Sequence, residues 1–178
     1  MEKTIKDFTD KFLTYSRLTI FILLIMANFN WYDSTDPMPG YVALVLNLIG
    51  GVSTLSWIYA VGHKANQKLL KRKITLDIFK YFNLGIMAII GSVLAMFLLS
   101  EGSVSHGDPS FNITYTRPLE IALFFLASLI FTVFVASKVL VSAEKNKEAK
   151  FEDYVVTLLL FGFLWIGIWF IQPRVQKL

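Results

Sequence analysis

Five long apolar runs, separated by short polar breaks, constrain this chain more than any other feature: Leu13 to Trp31, Tyr41 to Gly62, Tyr81 to Leu99, Leu119 to Leu140 and Tyr154 to Ile171. A helix crosses the hydrocarbon core of a bilayer with about 20 mostly apolar residues. Inside that core every backbone polar group must be satisfied internally, which leaves helices and closed barrels. The runs therefore predict an all-α polytopic helical membrane bundle of about five transmembrane spans. Runs one and five have the shortest uninterrupted apolar cores. Four spans plus a re-entrant or interfacial helix is the competing architecture. Arg17 lies near the start of run one, where its long stem can carry the charge to the headgroups.

The breaks between runs are too small to be domains. Asp33 to Gly40 is a proline- and glycine-rich turn, Lys64 to Lys73 is basic, Glu101 to Pro118 is rich in turn formers, and Glu144 to Asp153 is of mixed charge. An independent core needs about 40 residues or more, so residues 1–178 read as a single integral membrane domain without internal repeats.

Composition agrees. Of 178 residues, 55% are hydrophobic and 17% charged, against about 45–50% and about 25% in soluble domains. That balance argues against a soluble enzyme, a disordered chain and a basic module that binds nucleic acid directly. Cysteine is absent, which excludes disulfides and thiolate metal sites. The first run ends in Asn28-Phe29-Asn30-Trp31, without the small residues a signal peptidase reads.

Basic residues orient the bundle, because short cytoplasmic loops carry the excess of Lys and Arg. Lys3, Lys6, Lys11 and Arg17 precede or open the first span. Lys64, Lys68, Lys71, Arg72, Lys73 and Lys80 lie between spans two and three, and Lys138, Lys145, Lys147 and Lys150 between spans four and five. The loop after span one has no Lys or Arg, and the loop after span three has Arg117 alone. A cytoplasmic N-terminus in a cell (inner) membrane follows. With five spans the tail, carrying Arg174 and Lys177, falls outside; with a re-entrant fifth run it falls inside. Residues 1–16 carry Ile5, Phe8, Phe12 and Tyr15 at helical spacing among charges, the pattern of an amphipathic helix lying on the inner surface.

No Asp, Glu, Lys, Arg or His falls in the middle of any run. Proton relays, voltage sensors and most ion-coupled pumps need one. Ser53, Ser92, Ser128 and Thr132 fall inside the spans and are expected either to hydrogen-bond between helices or to line a hydrated path. Gly85, Gly91 and Ala95 in run three permit close helix approach. The basic segment Lys64, Lys68, Lys71, Arg72 and Lys73 is expected to dock a cytoplasmic partner or contact anionic lipid.

Glu101, His106, Asp108, Tyr115 and Glu120 cluster around the outer loop, but their spacing matches no metal-ligand motif. No catalytic residue, cofactor or metal is expected, since a nucleophile needs a base beside it and the membrane serines have none. The expected function is a small non-enzymatic membrane subunit that self-associates, anchors a cytoplasmic partner, or both, as scaffold, sensor or pore-forming effector. The alternatives are a channel or transporter component working through the mid-membrane hydroxyls, and third a lipid-modifying enzyme.

Overall fold

The computed structural model describes residues 7, 11–14, 18–22, 40–99, 101–104, 113–116 and 119–178. The chain is helical, with α1 over Gly40–Lys71, α2 over Phe82–Leu98, α3 over Leu119–Lys145, α4 over Phe151–Gly162 and α5 over Leu164–Gln176. A short 3-10 helix, Asp77–Tyr81, leads into α2. Two four-residue strands, β1 (Glu101–Val104) and β2 (Ile113–Thr116), form an antiparallel ladder in the connection between α2 and α3, in which Glu101 pairs with Thr116 and Val104 with Ile113.

Three helical segments are long and apolar enough to cross a membrane: Val45–Lys71, Asp77–Met96 and Leu119–Lys145, with mean hydropathy 1.4, 1.7 and 2.5. They coincide with runs two, three and four. Only 22% to 39% of their apolar windows is buried within the protein. Leu84, Met87, Leu98, Leu119 and Ile130 are all more than half exposed. Apolar surface on that scale belongs in lipid rather than water, and marks the chain as a membrane protein. Of run one, residues 15–17 and 23–31 lie outside the described set, as does most of the amphipathic segment.

Run five departs from the expectation of a single span. The helix stops at Phe163 (φ −98°, ψ 62°) and restarts at Leu164. Arg174 Nη1 then donates to Thr157 Oγ1 at 3.0 Å. In a straight helix these residues would stand about 25 Å apart. The chain has therefore folded back into a pair of short helices, α4 and α5. Gly167 makes the reversal close, because a Cβ there would strike the carbonyl of Leu160.

Two compact units divide the contacts: residues 1–79 with 133–178, and residues 80–132. The first has the larger core. Trp57, Ile58, Val61, Ala65 and Leu69 form the buried stripe of α1, and Val135, Ala136, Val139, Leu140 and Ala143 that of α3. Phe161, Ile168, Ile171 and Val175 complete it from α4 and α5. The spacing of three and four residues is that of one helix face turned inward.

Helix ends in this unit are closed by their own backbone. At the end of α1, Ile74 N–H bonds to Leu69 O at 3.0 Å and Lys73 N–H to Leu70 O at 2.9 Å. Lys73 has φ 60°. This is the Schellman arrangement, whose left-handed position usually holds glycine; a side chain there costs about 1 kcal/mol. α3 ends similarly, with Asn146 at φ 51° and Lys147 N–H on Ser142 O. At the start of α4 the Asp153 carboxylate accepts the Lys150 backbone N–H at 3.1 Å and the ammonium of Lys145. The Lys145 hydrogen bond, followed by the Lys150 N–H, holds its pKa below the usual carboxylate value, against a small opposing effect of burial.

Candidate functional site

Each unit carries one arrangement of polar or small residues that its helices place deliberately. In residues 80–132, α2 packs on the first half of α3. At Gly85 the two come so close that a Cβ would sit 2.5 Å from Thr132 Oγ1 and 3.3 Å from Phe131 Cδ1. Further along, the helices leave a groove of about 310 Å³ lined by Ala88, Gly91, Ser92, Ala95, Glu120, Ile121 and Phe124. A Cβ on Gly91 would have nothing within 4 Å. Sequence reasoning treated Gly85, Gly91 and Ala95 alike as packing residues; Gly85 is filled from within the chain, while Gly91 and Ala95 face the groove.

This separates two substitutions. Gly85→Ala is expected to destabilise by about 1–3 kcal/mol, the range for overpacking a tight contact. In a detergent that keeps the chain monomeric, Gly91→Ala is expected to be neutral or to stabilise by up to about 1 kcal/mol, through helix propensity. Thermal unfolding midpoints in one detergent measure both.

The hydroxyls of the spans turn inward on their own helices. Ser53 donates to Ile49 O at 2.7 Å, Ser92 to Ala88 O at 2.7 Å, Ser128 to Phe124 O at 2.8 Å and Thr132 to Ser128 O at 2.8 Å. Each is a bond to the carbonyl four residues earlier, which satisfies the donor and lets a polar residue sit in an apolar setting. Among the described residues, none of these four bonds links two helices. Ser92 lines the groove, but its proton is already committed to α2.

The other unit holds a buried polar knot that sequence reasoning missed. Trp57 Nε1 donates to Gln172 Oε1 at 2.8 Å, and Gln172 Nε2 donates to the carbonyl of Leu13 at 2.8 Å. Gln176, one turn further along α5, donates to the same carbonyl at 3.0 Å. Trp57 and Gln172 are wholly buried, and Phe161 packs its ring 5.4 Å from that of Trp57. Thus α1, α4, α5 and the helical segment at 11–14 meet at one indole and one amide. An indole N–H in an apolar run needs an acceptor, and that requirement was the available signal.

Beside the knot, Arg174 grips Glu144 through both ends of its guanidinium, Nε to Oε1 at 2.7 Å and Nη2 to Oε2 at 2.6 Å. Planar two-point pairing of this kind is stronger and more directional than a lysine contact. Together with the Thr157 bond it pins the end of α5 to the end of α3. Among the described residues no buried side-chain nitrogen or oxygen lacks a partner, and no three His, Asp or Glu residues converge as a metal site would require. His106 and Asp108 lie outside the described set.

Neither arrangement pairs a nucleophile with a base. What the geometry offers is an unfilled groove on one unit and a tightly closed junction in the other. No family profile matches the sequence, and neither a curated protein nor a solved structure shows significant similarity to it.

Proposed function

We propose that the chain is a small non-enzymatic integral membrane subunit that associates with copies of itself through the groove between α2 and α3. The observation that carries this reading is the open space at Gly91, floored by Ala88, Ser92 and Ala95. In a bilayer, helix contacts form where small residues let backbones approach, because lipid gives no hydrophobic drive between helices. A channel through the hydroxyls finds no comparable support, since their donors are bonded within their own helices.

The reading takes runs one to four as crossings, with the N-terminus cytoplasmic and α4–α5 re-entering from the same side. The tie between Arg174 and Glu144 supports it, since it brings the tail to the end of α3, beside Lys145 and the connection that carries Lys147 and Lys150. The arrangement leaves Arg117 as the one basic residue of 17 on the outer side, a sharper asymmetry than five crossings give. A soluble cytoplasmic partner remains part of the proposal, and it would co-purify after mild detergent extraction.

The absence of cysteine makes disulfide trapping free of background. Gly91→Cys and Ala95→Cys chains in native membranes are expected to form dimers on mild oxidation. Cysteine at Val135, buried in the other unit, is expected to form none. Failure of both groove positions to cross-link, with a monomer in mild detergent, would sink the proposal.

A further inference from the structure

In the unit of residues 1–79 and 133–178, three cations are held in ion pairs, while a run of four at one helix end is not. Lys138, Lys145 and Arg174 each meet a carboxylate, on Glu148, Asp153 and Glu144 respectively. Lys68, Lys71, Arg72 and Lys73, at the end of α1, meet none among the described residues, although Asp77 lies exposed four positions beyond Lys73. Lys71, Arg72 and Lys73 are exposed, and Leu70 beside them is 52% exposed. Lys73 also occupies the left-handed position of the Schellman turn, where glycine would be easier for the backbone. Two of the α1 carbonyls that would repel an anion at a helix C-terminus are engaged by that turn, those of Leu69 and Leu70.

We infer that the end of α1 binds the phosphate headgroup of anionic phospholipid in the inner leaflet, with Lys68, Lys71, Arg72 and Lys73 as the cationic ligands. The inference rests on the orientation proposed above. Lys64 is the first charge of α1, so the hydrocarbon ends near it; at about 1.5 Å per residue Lys68 lies about 6 Å beyond and Lys71 about 10 Å. Each headgroup layer is about 5–8 Å thick, so Lys68 lies within it and the long stems of Lys71 and Arg72 reach back to it. That reach to the phosphates favours lipid over an acidic soluble protein. Lys68 supplies charge at the phosphate level, and Lys71, Arg72 and Lys73 reach it from about one turn further out.

The test uses the full chain in a mild uncharged detergent at 0.15 M salt, titrated with short-chain phosphatidylglycerol. Arms with short-chain phosphatidylcholine, inorganic phosphate and a polyglutamate peptide run in parallel, all read by the thermal unfolding midpoint. Phosphatidylglycerol is expected to raise the midpoint saturably. Lys71→Gln/Arg72→Gln/Lys73→Gln is expected to weaken that response about a hundredfold in concentration, at about 1 kcal/mol per basic residue. Lys147→Gln/Lys177→Gln, which removes two exposed cations elsewhere, is expected to leave it unchanged. An equal response in the triple variant overturns the inference. So does a response to phosphate alone, which makes this a small-anion site, or a stronger response to polyglutamate, which makes it a protein dock. Labelling of Lys73→Cys by an impermeant thiol reagent in right-side-out and inverted vesicles separates the two levels. Labelling from the outer side overturns the orientation and the inner-leaflet site together; labelling from the inner side, with no lipid response, overturns the lipid site alone.

Discussion

Gly167→Ala is expected to be among the most damaging single substitutions in the chain, lowering stability by about 3 kcal/mol or more. The added Cβ would land on the carbonyl of Leu160. That obstacle is backbone, so no rotamer change relieves it, and α5 would have to swing away from α4. The Arg174 bond to Thr157 and the Phe161 contact with Trp57 depend on the same approach. Gly162→Ala is the matched control. It lies in the same reversal, but a Cβ there meets nothing within 4 Å, so its effect is expected to be slight or stabilising. Thermal melts followed by tryptophan fluorescence read both, since Trp57 sits in the affected core. Equal midpoints for the two variants would contradict the folded-back arrangement.

Gln172→Leu is expected to cost about 2–4 kcal/mol. The replacement is apolar and of similar length, so the loss comes from polar groups rather than from volume. Trp57 Nε1–H would be left buried without an acceptor, at about 1–3 kcal/mol, and Leu13 O would lose one of its two side-chain bonds, keeping that from Gln176. Gln176→Leu is expected to cost under about 1 kcal/mol, because Gln176 is exposed and Gln172 still serves the same carbonyl. Gln172→Glu sharpens the test. A carboxylate still accepts from Trp57 but faces Leu13 O with no proton to donate, whereas a protonated carboxyl restores the donor. The Gln172→Glu protein should therefore be weakest at neutral pH and recover towards wild type as pH falls through its carboxyl pKa. A pH-independent midpoint difference would remove Gln172 Nε2 from the explanation.

The three membrane-length helices were legible because their signal is additive. Each of Leu119 to Leu140, Tyr81 to Leu99 and Tyr41 to Gly62 sums many apolar residues, and one polar residue such as Ser128 cannot cancel the run. α1 continues to Lys71, beyond the expected end at Gly62, because Lys, Gln, Ala and Leu are good helix formers and nothing breaks the helix before the turn at Lys73. A re-entrant fifth run was one of the two readings of the sequence, but the place of the reversal, at Phe163, was hidden for the opposite reason. Leu159, Leu160, Phe161, Phe163, Leu164 and Trp165 are as apolar as any span. What breaks the run is a tertiary demand: Thr157 and Arg174 share a bond, and Gly167 allows the approach. At the site, hydrophobicity and small-residue spacing identified Gly85, Gly91 and Ala95 but could not separate a filled position from an open one, which depends on what α3 places opposite. The Trp57–Gln172 pair spans 115 positions, and no local pattern connects residues so far apart.

The clasp on Leu13 also sets an order of assembly. Its partner amide lies 159 positions further along the chain. During synthesis the amphipathic segment and α1 emerge first, and Trp57 enters the membrane long before Gln172 has been made. The indole N–H must then be served by water or another protein until α5 folds back and brings the Gln172 acceptor. Closure of this core is thus a late event of biogenesis. A nascent chain stalled before Gln172 should expose the segment at 11–14 to proteases and insertion factors that the finished protein excludes.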